Sequence, residues 1–283
     1  MTTLELTNDL DDHVKIDGVS VRMHAPIDTV IKNVDKNKRN IKVKDVSRLE
    51  EWRATRKAVI IGGGYSLKSK IKEIASLDSN NHYIFVCGSA HDYLRKNNIV
   101  FDYTIICDPD PIVIKYLATA NQFTGKYLVS TQCHSSVFEY LLSRGCEVYK
   151  WNTANGDIDS KVFVEGDLLV GGGCTVGTRA IVLAQNFGYN DMHLYGFDNC
   201  IHENGSHAYP FVDPENEQLI GIQDIYIHGV KFKMADYMIG QLFDFRNLVQ
   251  KLAYSVKFTI HGEGALYTLM EVAKRNAQNG KEI

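Results

Sequence analysis

The 283-residue sequence has only five prolines and no long polar low-complexity tract, which excludes extensive disorder. No window comes near the run of about 18 apolar residues that a membrane-spanning helix needs. The start, MTTLELTNDLDDH, is acidic and polar where a secretory leader would be basic and then apolar, so the expected location is the cytoplasm. A surplus of one charge is also missing, with 31 Lys and Arg against 34 Asp and Glu. That balance argues against a nucleic-acid coat protein, which must neutralise many phosphates, but leaves room for a local basic groove. Six cysteines are scattered without a single CxxC pair, and the histidines show neither HExxH nor HxH spacing. Reduced, mostly buried thiols are expected in place of disulfides or a zinc site. No solenoid-type repeat is present.

What is present begins at residue 57. Residues 1–56 are polar and lysine-rich, with the pattern of a short helix and connectors and no chemical motif. AVIIGGG then gives a β-branched run ending in three glycines, and YSLKSKIKEIASL carries helical apolar spacing at Leu67, Ile71, Ile74 and Leu77. The alternation continues with HYIFVCGS, YTIICD, KYLVST and EVYKW as strands and HDYLRKNN, IVIKYLATA and SVFEYLLSRG as helices. Continuous apolar strands separated by helix-length segments predict an α/β, Rossmann-like domain over 57–283, mostly parallel, with helices on both faces. A loop at NTANGDIDSKVFVEGDL precedes a second glycine-rich unit, LLVGGGCTVGTRAIVLAQNFGY, and the strand DMHLYGFD. Residues from about 199 to 230 are rich in Gly, Asn, His and Tyr and poor in periodicity, and are expected to form a late inserted substrate lid. A helix (KMADYMIGQLFDFRNLVQKLAY), a strand (SVKFTIHG) and a helix (ALYTLMEVAKRN) close the chain.

Chemistry is expected at the strand ends. Gly62, Gly63 and Gly64, with Ser66, sit where a strand meets a helix, so exposed N–H groups and the helix dipole favour a phosphate there. Ser66 can cap the helix or donate to that phosphate. The lysine of a Walker A loop and full GxGxxG spacing are both missing, so the signal is weak alone and a plain tight turn stays open as the alternative. Gly172, Gly173 and Thr175 repeat the context, and two such turns in one sheet can converge on one nucleotide across a topological switch point. Asp108 and Asp110 follow YTIIC; Asp110 suits a helix cap before Pro111, which leaves Asp108 for a ribose, an acceptor hydroxyl or a metal on a diphosphate. Asp198 ends LYGFD with the same ambiguity. His202, His207, His228 and His261 all follow the second turn, and an imidazole that titrates near neutrality can take a proton from an attacking hydroxyl.

GGGYSL, CGSAHDYL, DYTIICDPDP and GGGCTVGTRAIVLAQNFGYNDMHLYGFD together resemble the 6-hydroxymethylpterin diphosphokinase MptE-like family, which includes the catalytic domain of the motility accessory factor (Maf) proteins. The resemblance covers about residues 57–270 and adds Gly88 to the nucleotide-binding set. The order of motifs is also similar to small bacterial sialyltransferases, whose lid carries N-G-S-x-Tyr and then a histidine beside a glycine. Asn204-Gly205-Ser206-His207-Ala208-Tyr209 and His228-Gly229 stand in those places. That likeness implies His228 as general base and Tyr209, with His207, supporting the leaving phosphate.

The leading expectation is a glycosyltransferase that uses a CMP-, UDP- or GDP-linked sugar and a hydroxyl-bearing acceptor on a glycan, a protein or a modified nucleic-acid base. Mg²⁺ is compatible with this reading and not required by it. The alternatives are a pterin diphosphokinase using ATP and Mg²⁺ held by Asp108 and Asp110, and a nucleotide-binding protein without turnover.

Overall fold

The computed structural model describes residues 13–16, 19–22, 25–49, 57–122, 125–156, 159–210, 219 and 221–278. The remaining parts of the N-terminal segment, and 211–218 and 220 of the expected lid, lie outside the described residues.

In chain order the elements are β1 (His13–Ile16), β2 (Val19–Arg22), α1 (Ile27–Asn40), β3 (Lys44–Asp45), β4 (Lys57–Ile61), α2 (Leu67–Ala75), β5 (His82–Cys87), α3 (His91–Lys96) and β6 (Tyr103–Ile106). Then follow β7 (Lys126–Ser130), α4 (Ser135–Ser143), β8 (Glu147–Thr153), α5 (Asp159–Val162), β9 (Leu169–Val170), α6 (Val176–Asn186) and β10 (Asp191–Tyr195). The chain closes with β11 (Gln223–Ile227), β12 (Val230–Met234), α7 (Asp236–Leu252), β13 (Lys257–His261) and α8 (Ala265–Gln278).

Eight strands form one parallel sheet in the order β13-β10-β4-β5-β6-β7-β8-β3, and β9 adds to the end of β8. The sheet is buried on both faces, which explains the uninterrupted apolar runs. Along β4, Ala58 and Ile60 pack with α6 and α7 residues such as Ile181, Ala184 and Phe245, whereas Val59 and Ile61 pack with Leu67, Ile74, Leu94 and Phe138 of α2, α3 and α4. Each large apolar side chain so buried contributes on the order of 1.5–3 kcal/mol.

The strand order fixes where a ligand can enter. From β4 the chain steps outward through β5, β6, β7 and β8, then α6 carries it back to place β10 on the other side of β4. The order therefore reverses between β4 and β10, and there the loops leave in opposite directions and open a crevice at the carboxyl ends of the strands.

Three elements differ from the sequence reading. IVIKYLATA forms a 3₁₀ segment, Pro111–Tyr116, capped by Asp110 through Ile112 N at 2.8 Å. Its run of β-branched residues, Ile112, Val113 and Ile114, has poor α-helical propensity. Part of the segment expected to be an irregular lid is the antiparallel hairpin β11–β12, and the α7 helix starts only at Asp236. His228 (φ 48°) and Gly229 (φ 83°) make its two-residue turn in the left-handed region that such hairpins require. Cys174 is exposed, unlike the buried Cys87, Cys107, Cys133 and Cys200, and all six thiols are free.

The N-terminal segment contributes to the main body. From α1, Asn33 Nδ2 donates to Gln132 O (2.9 Å) and Pro109 O (3.3 Å), and Asn37 Nδ2 donates to Thr131 O (2.9 Å) and Cys133 O (2.6 Å). These amides satisfy buried carbonyls of the loops after β6 and β7.

Candidate functional site

The first glycine turn lies at the switch point. Gly62 N donates to Tyr195 O at 2.8 Å and Gly64 N to Gly196 O at 2.9 Å, so the turn after β4 continues the ladder with the end of β10. A Cβ on Gly62 would lie 2.6 Å from Gly196 O, and one on Gly64 would lie 2.7 Å from Asp198 Cγ. Only glycines allow this approach.

Asp198 locks the turn from beneath. Its carboxylate accepts from Ser66 N at 2.6 Å, from the Ser66 hydroxyl, and lies 3.1 Å from His202 Nε2. It is 1% exposed, and burial raises its pKa while the Ser66 and His202 bonds pull it back. The Ser66 hydroxyl makes no cap bond to α2. His202 stacks on Tyr65 at 5.0 Å, and Lys68 Nζ sits 4.2 Å from the other ring's centroid, that of Tyr65.

Part of the segment expected as a lid lies against this turn. Ala208 N donates to Gly63 O at 3.0 Å, and Gly64 and His207 form an antiparallel bridge. His207 Nδ1 lies 2.8 Å from Ser206 Oγ. The Tyr209 hydroxyl donates to Ser89 Oγ at 2.9 Å, beside Gly88 at the end of β5. A Cβ on Gly63 would fall 2.2 Å from that hydroxyl. Burial pushes the Tyr209 phenol far above its ordinary value, so it stays protonated and can act as a donor. The structure thus brings Gly62, Gly63, Gly64, Ser66, Gly88, Asp198, His202, His207 and Tyr209 together, and it adds Ser89 and Tyr65.

The second turn opens α6. Gly172 (φ 111°) and Gly173 (φ 85°) take left-handed conformations, and Thr175 caps the helix by accepting from Thr178 N at 3.0 Å. Cys174 N donates to Asp244 Oδ2 at 2.9 Å. The two turns meet at Phe197, whose ring lies 3.4 Å from a Cβ built on Gly62 and 2.9 Å from one on Gly177 in the first turn of α6. Arg179, one helical step further on, is buried at the same edge of the sheet. Sequence reasoning missed it because an arginine inside an amphipathic helix carries no motif.

Asp108 and Asp110 follow β6 at this edge, where Asp108 Oδ1 accepts from Asp110 N at 2.9 Å. His228 is set apart: it is exposed at the β11–β12 turn, and among the described residues no hydrogen bond joins it to the glycine turns.

His261 belongs to another cluster, behind Ser66. His193 Nδ1 and His261 Nε2 are 2.8 Å apart, and His261 Nδ1 lies 3.1 Å from Glu73 Oε1, which also accepts from the Tyr195 hydroxyl at 2.8 Å. Asp191 faces His193 at 3.5 Å, Lys70 pairs with Glu73, and Lys57, His82 and Lys274 add charge nearby. Burial holds both imidazoles below their ordinary value, against the pull of Glu73 and Asp191. The unfolded chain therefore takes up these protons first. The stability they confer is complete above the unfolded imidazole pKa of about 6.5 and is lost as pH falls through the lower folded values. The urea midpoint should be lower at pH 5 than at pH 7.5. A slope unchanged in the double variant His193→Gln/His261→Gln would assign the acid sensitivity elsewhere.

The model of the family described as 6-hydroxymethylpterin diphosphokinase MptE-like matches residues 28–204, more than half of the sequence. The chain belongs to the MptE-like family. Among curated proteins none matches it. A solved structure described as a Maf glycosyltransferase from Magnetospirillum magneticum AMB-1 is similar in fold, with a TM-score of 0.61 at 15% identity over 85% of this chain. This MptE-like chain spans 38% of that protein's length. No described helix is long and apolar enough to cross a membrane.

Proposed function

We propose that this MptE-like protein is a nucleotide-sugar-dependent glycosyltransferase. The observation that carries the reading is the lid segment laid over the first glycine turn, with the protonated Tyr209 hydroxyl beside Gly63 at the switch point. The fold likeness to a Maf glycosyltransferase supports it. In this reading the nucleotide lies over Gly62–Ser66 and Gly172–Thr175, with Gly88 and Asp108 along the same edge, and Asp198 holds Ser66 and the turn in place. The acceptor oxygen attacks the anomeric carbon as the bond from that carbon to the phosphate oxygen breaks. Tyr209, His207 and the N-terminal N–H groups of α6 meet the charge that develops on the leaving phosphate. His228, which the sialyltransferase likeness implies as base, takes the proton of an acceptor lying between the glycine turns and the β11–β12 turn. Its hairpin, β11–β12, is seated on α7 and α8 through Ile227, Met234 and Met238, so the imidazole is carried on a fixed element.

The family description favours a second reading, a diphosphokinase that uses ATP and Mg²⁺. Mg²⁺ is usually held by one or two carboxylates together with substrate phosphates, and Asp108 and Asp110 at the β6 end are of the right type.

A thermal-shift panel of CMP, UDP, GDP and ATP, each with and without Mg²⁺, separates these readings. At about 100 times its Kd a nucleotide adds about 2.7 kcal/mol, which raises the Tm of a chain this size by roughly 5–10 °C. CMP, UDP or GDP is expected to do so without a metal requirement, and His228→Ala should leave the shift intact while abolishing transfer. Stabilisation by ATP alone, dependent on Mg²⁺ and lost in Asp108→Ala, would move the assignment to the kinase. Transfer undiminished in His228→Ala would remove that residue as base.

A further inference from the structure

Arg179 is a buried cation with no carboxylate in direct contact. It is 6% exposed, in the first turn of α6. Its Nη1 donates to Ala154 O at 3.3 Å and its Nη2 to Asn155 Oδ1 at 3.2 Å, both long bonds to neutral acceptors, and its Nε has no partner. Among the described residues no carboxylate lies within ion-pair distance of it. Asp159 is committed to Asn155 N and Gly156 N at 2.9–3.1 Å, and Asp244 accepts from Cys174 N.

The placement makes this charge more costly still. A burial this deep normally demands a paired anion. The N-terminal turn of a helix already carries positive partial charge, so an arginine here opposes the dipole. The carboxylates whose charge reaches the guanidinium, Asp244 and Asp159, make no direct ion pair with it, and desolvation keeps the nearby Cys107 and Cys174 thiols neutral. The group is also oriented: Asn155 Nδ2 donates to Gln132 Oε1 at 3.0 Å, and Gln132 in turn donates to Cys107 O, so an amide chain across β6, β7 and β8 fixes its acceptor. At the mouth of the turn, a Cβ on Gly171 would meet nothing within 4 Å.

We propose that Arg179 is a ligand-binding residue that takes a compact oxyanion, a phosphate or a carboxylate, of the molecule bound over the second glycine turn. The proposal rests on the nucleotide-donor reading, in which that oxyanion is either the donor's phosphate or the carboxylate of an acidic sugar. Guanidinium suits both through paired N–H donors, and the α6 N-terminus adds backbone N–H groups of the same polarity. An anion seated there would supply the direct ion pair that Asp244 and Asp159 do not make.

Isothermal titration of the whole chain and its Arg179→Met variant, with the nucleotide panel, inorganic pyrophosphate and glucuronate as probes, tests this. Without ligand, the Met variant should match or exceed the wild-type Tm, since it removes an unpaired buried charge; a purely structural arginine would leave the variant less stable. Affinity for the oxyanion probe is expected to fall by about 30-fold or more. Loss confined to pyrophosphate and nucleotides identifies the phosphate, and loss confined to glucuronate identifies the carboxylate. Where Arg179→Met does not fold, Arg179→Lys keeps the charge and loses the fork, and it should show the same probe-specific loss. Nucleotide, pyrophosphate and glucuronate affinities all unchanged in a folded variant overturn the Arg179 assignment and leave the nucleotide reading standing. Binding of pyrophosphate or glucuronate through Arg179 with no nucleotide bound does the reverse. No binding of any probe by the wild type overturns both.

Discussion

Replacing Asp198 by alanine is expected to lower the Tm by about 10 °C and to remove the nucleotide-dependent shift. The carboxylate is the shared acceptor for Ser66 N, the Ser66 hydroxyl and His202, and it is 1% exposed. Water cannot replace it without entering the crevice. Each buried donor left unsatisfied costs about 1–3 kcal/mol, so the three together bring a loss of roughly 3–5 kcal/mol once relaxation is allowed. For a domain of this size each kcal/mol moves Tm by about 2–4 °C. Asp198→Asn should recover most of the stability, because an amide oxygen can still accept from Ser66 N while the Ser66 hydroxyl turns to accept from the amide nitrogen. Differential scanning calorimetry of the two variants checks the assignment. An alanine variant as stable as the wild type would show that the turn does not depend on this network.

That network also marks the limit of what a sequence can disclose. The strands, the fold class and the strand-end positions of both glycine turns follow from apolar runs and glycine spacing, which are local signals. The switch point is not local, since nothing in LYGFD states that β10 returns to lie beside β4. Ser66 and Asp198, 132 residues apart, meet only because of that return. The sequence therefore offered Ser66 as a phosphate donor or helix cap, whereas its hydroxyl is turned to Asp198. The hairpin β11–β12 had a legible signal that the polar residues around it obscured: Ile225, Ile227, Phe232 and Met234 alternate on either side of His228-Gly229. Arg179 had no such signal, because what sets it apart is the missing partner and not the residue itself.

The second large effect is expected at Gly64. The three glycines after β4 look equivalent to those after β9, yet their surroundings differ sharply. A Cβ on Gly64 would lie 2.7 Å from Asp198 Cγ and 2.8 Å from both Asp198 Oδ1 and Gly196 O, against backbone and a carboxylate already held by three bonds. Gly171 has nothing within 4 Å of its missing Cβ, and its φ is not in the left-handed region. Gly64→Val must therefore push the turn away from the β10 end, breaking the Gly64 N to Gly196 O bond and the Ser66–Asp198 contacts together. Overpacking of this kind costs about 1–3 kcal/mol, and the broken bonds add to it. Gly171→Ala should change stability by less than about 0.5 kcal/mol, as surface substitutions free of such contacts do. Urea unfolding of the two variants, with the nucleotide shift measured on each, tests whether close approach is the reason for the first glycine run. Equal midpoints would mean that the crevice is wide enough to accept a side chain and that the Ser66–Asp198 network does not depend on this close approach.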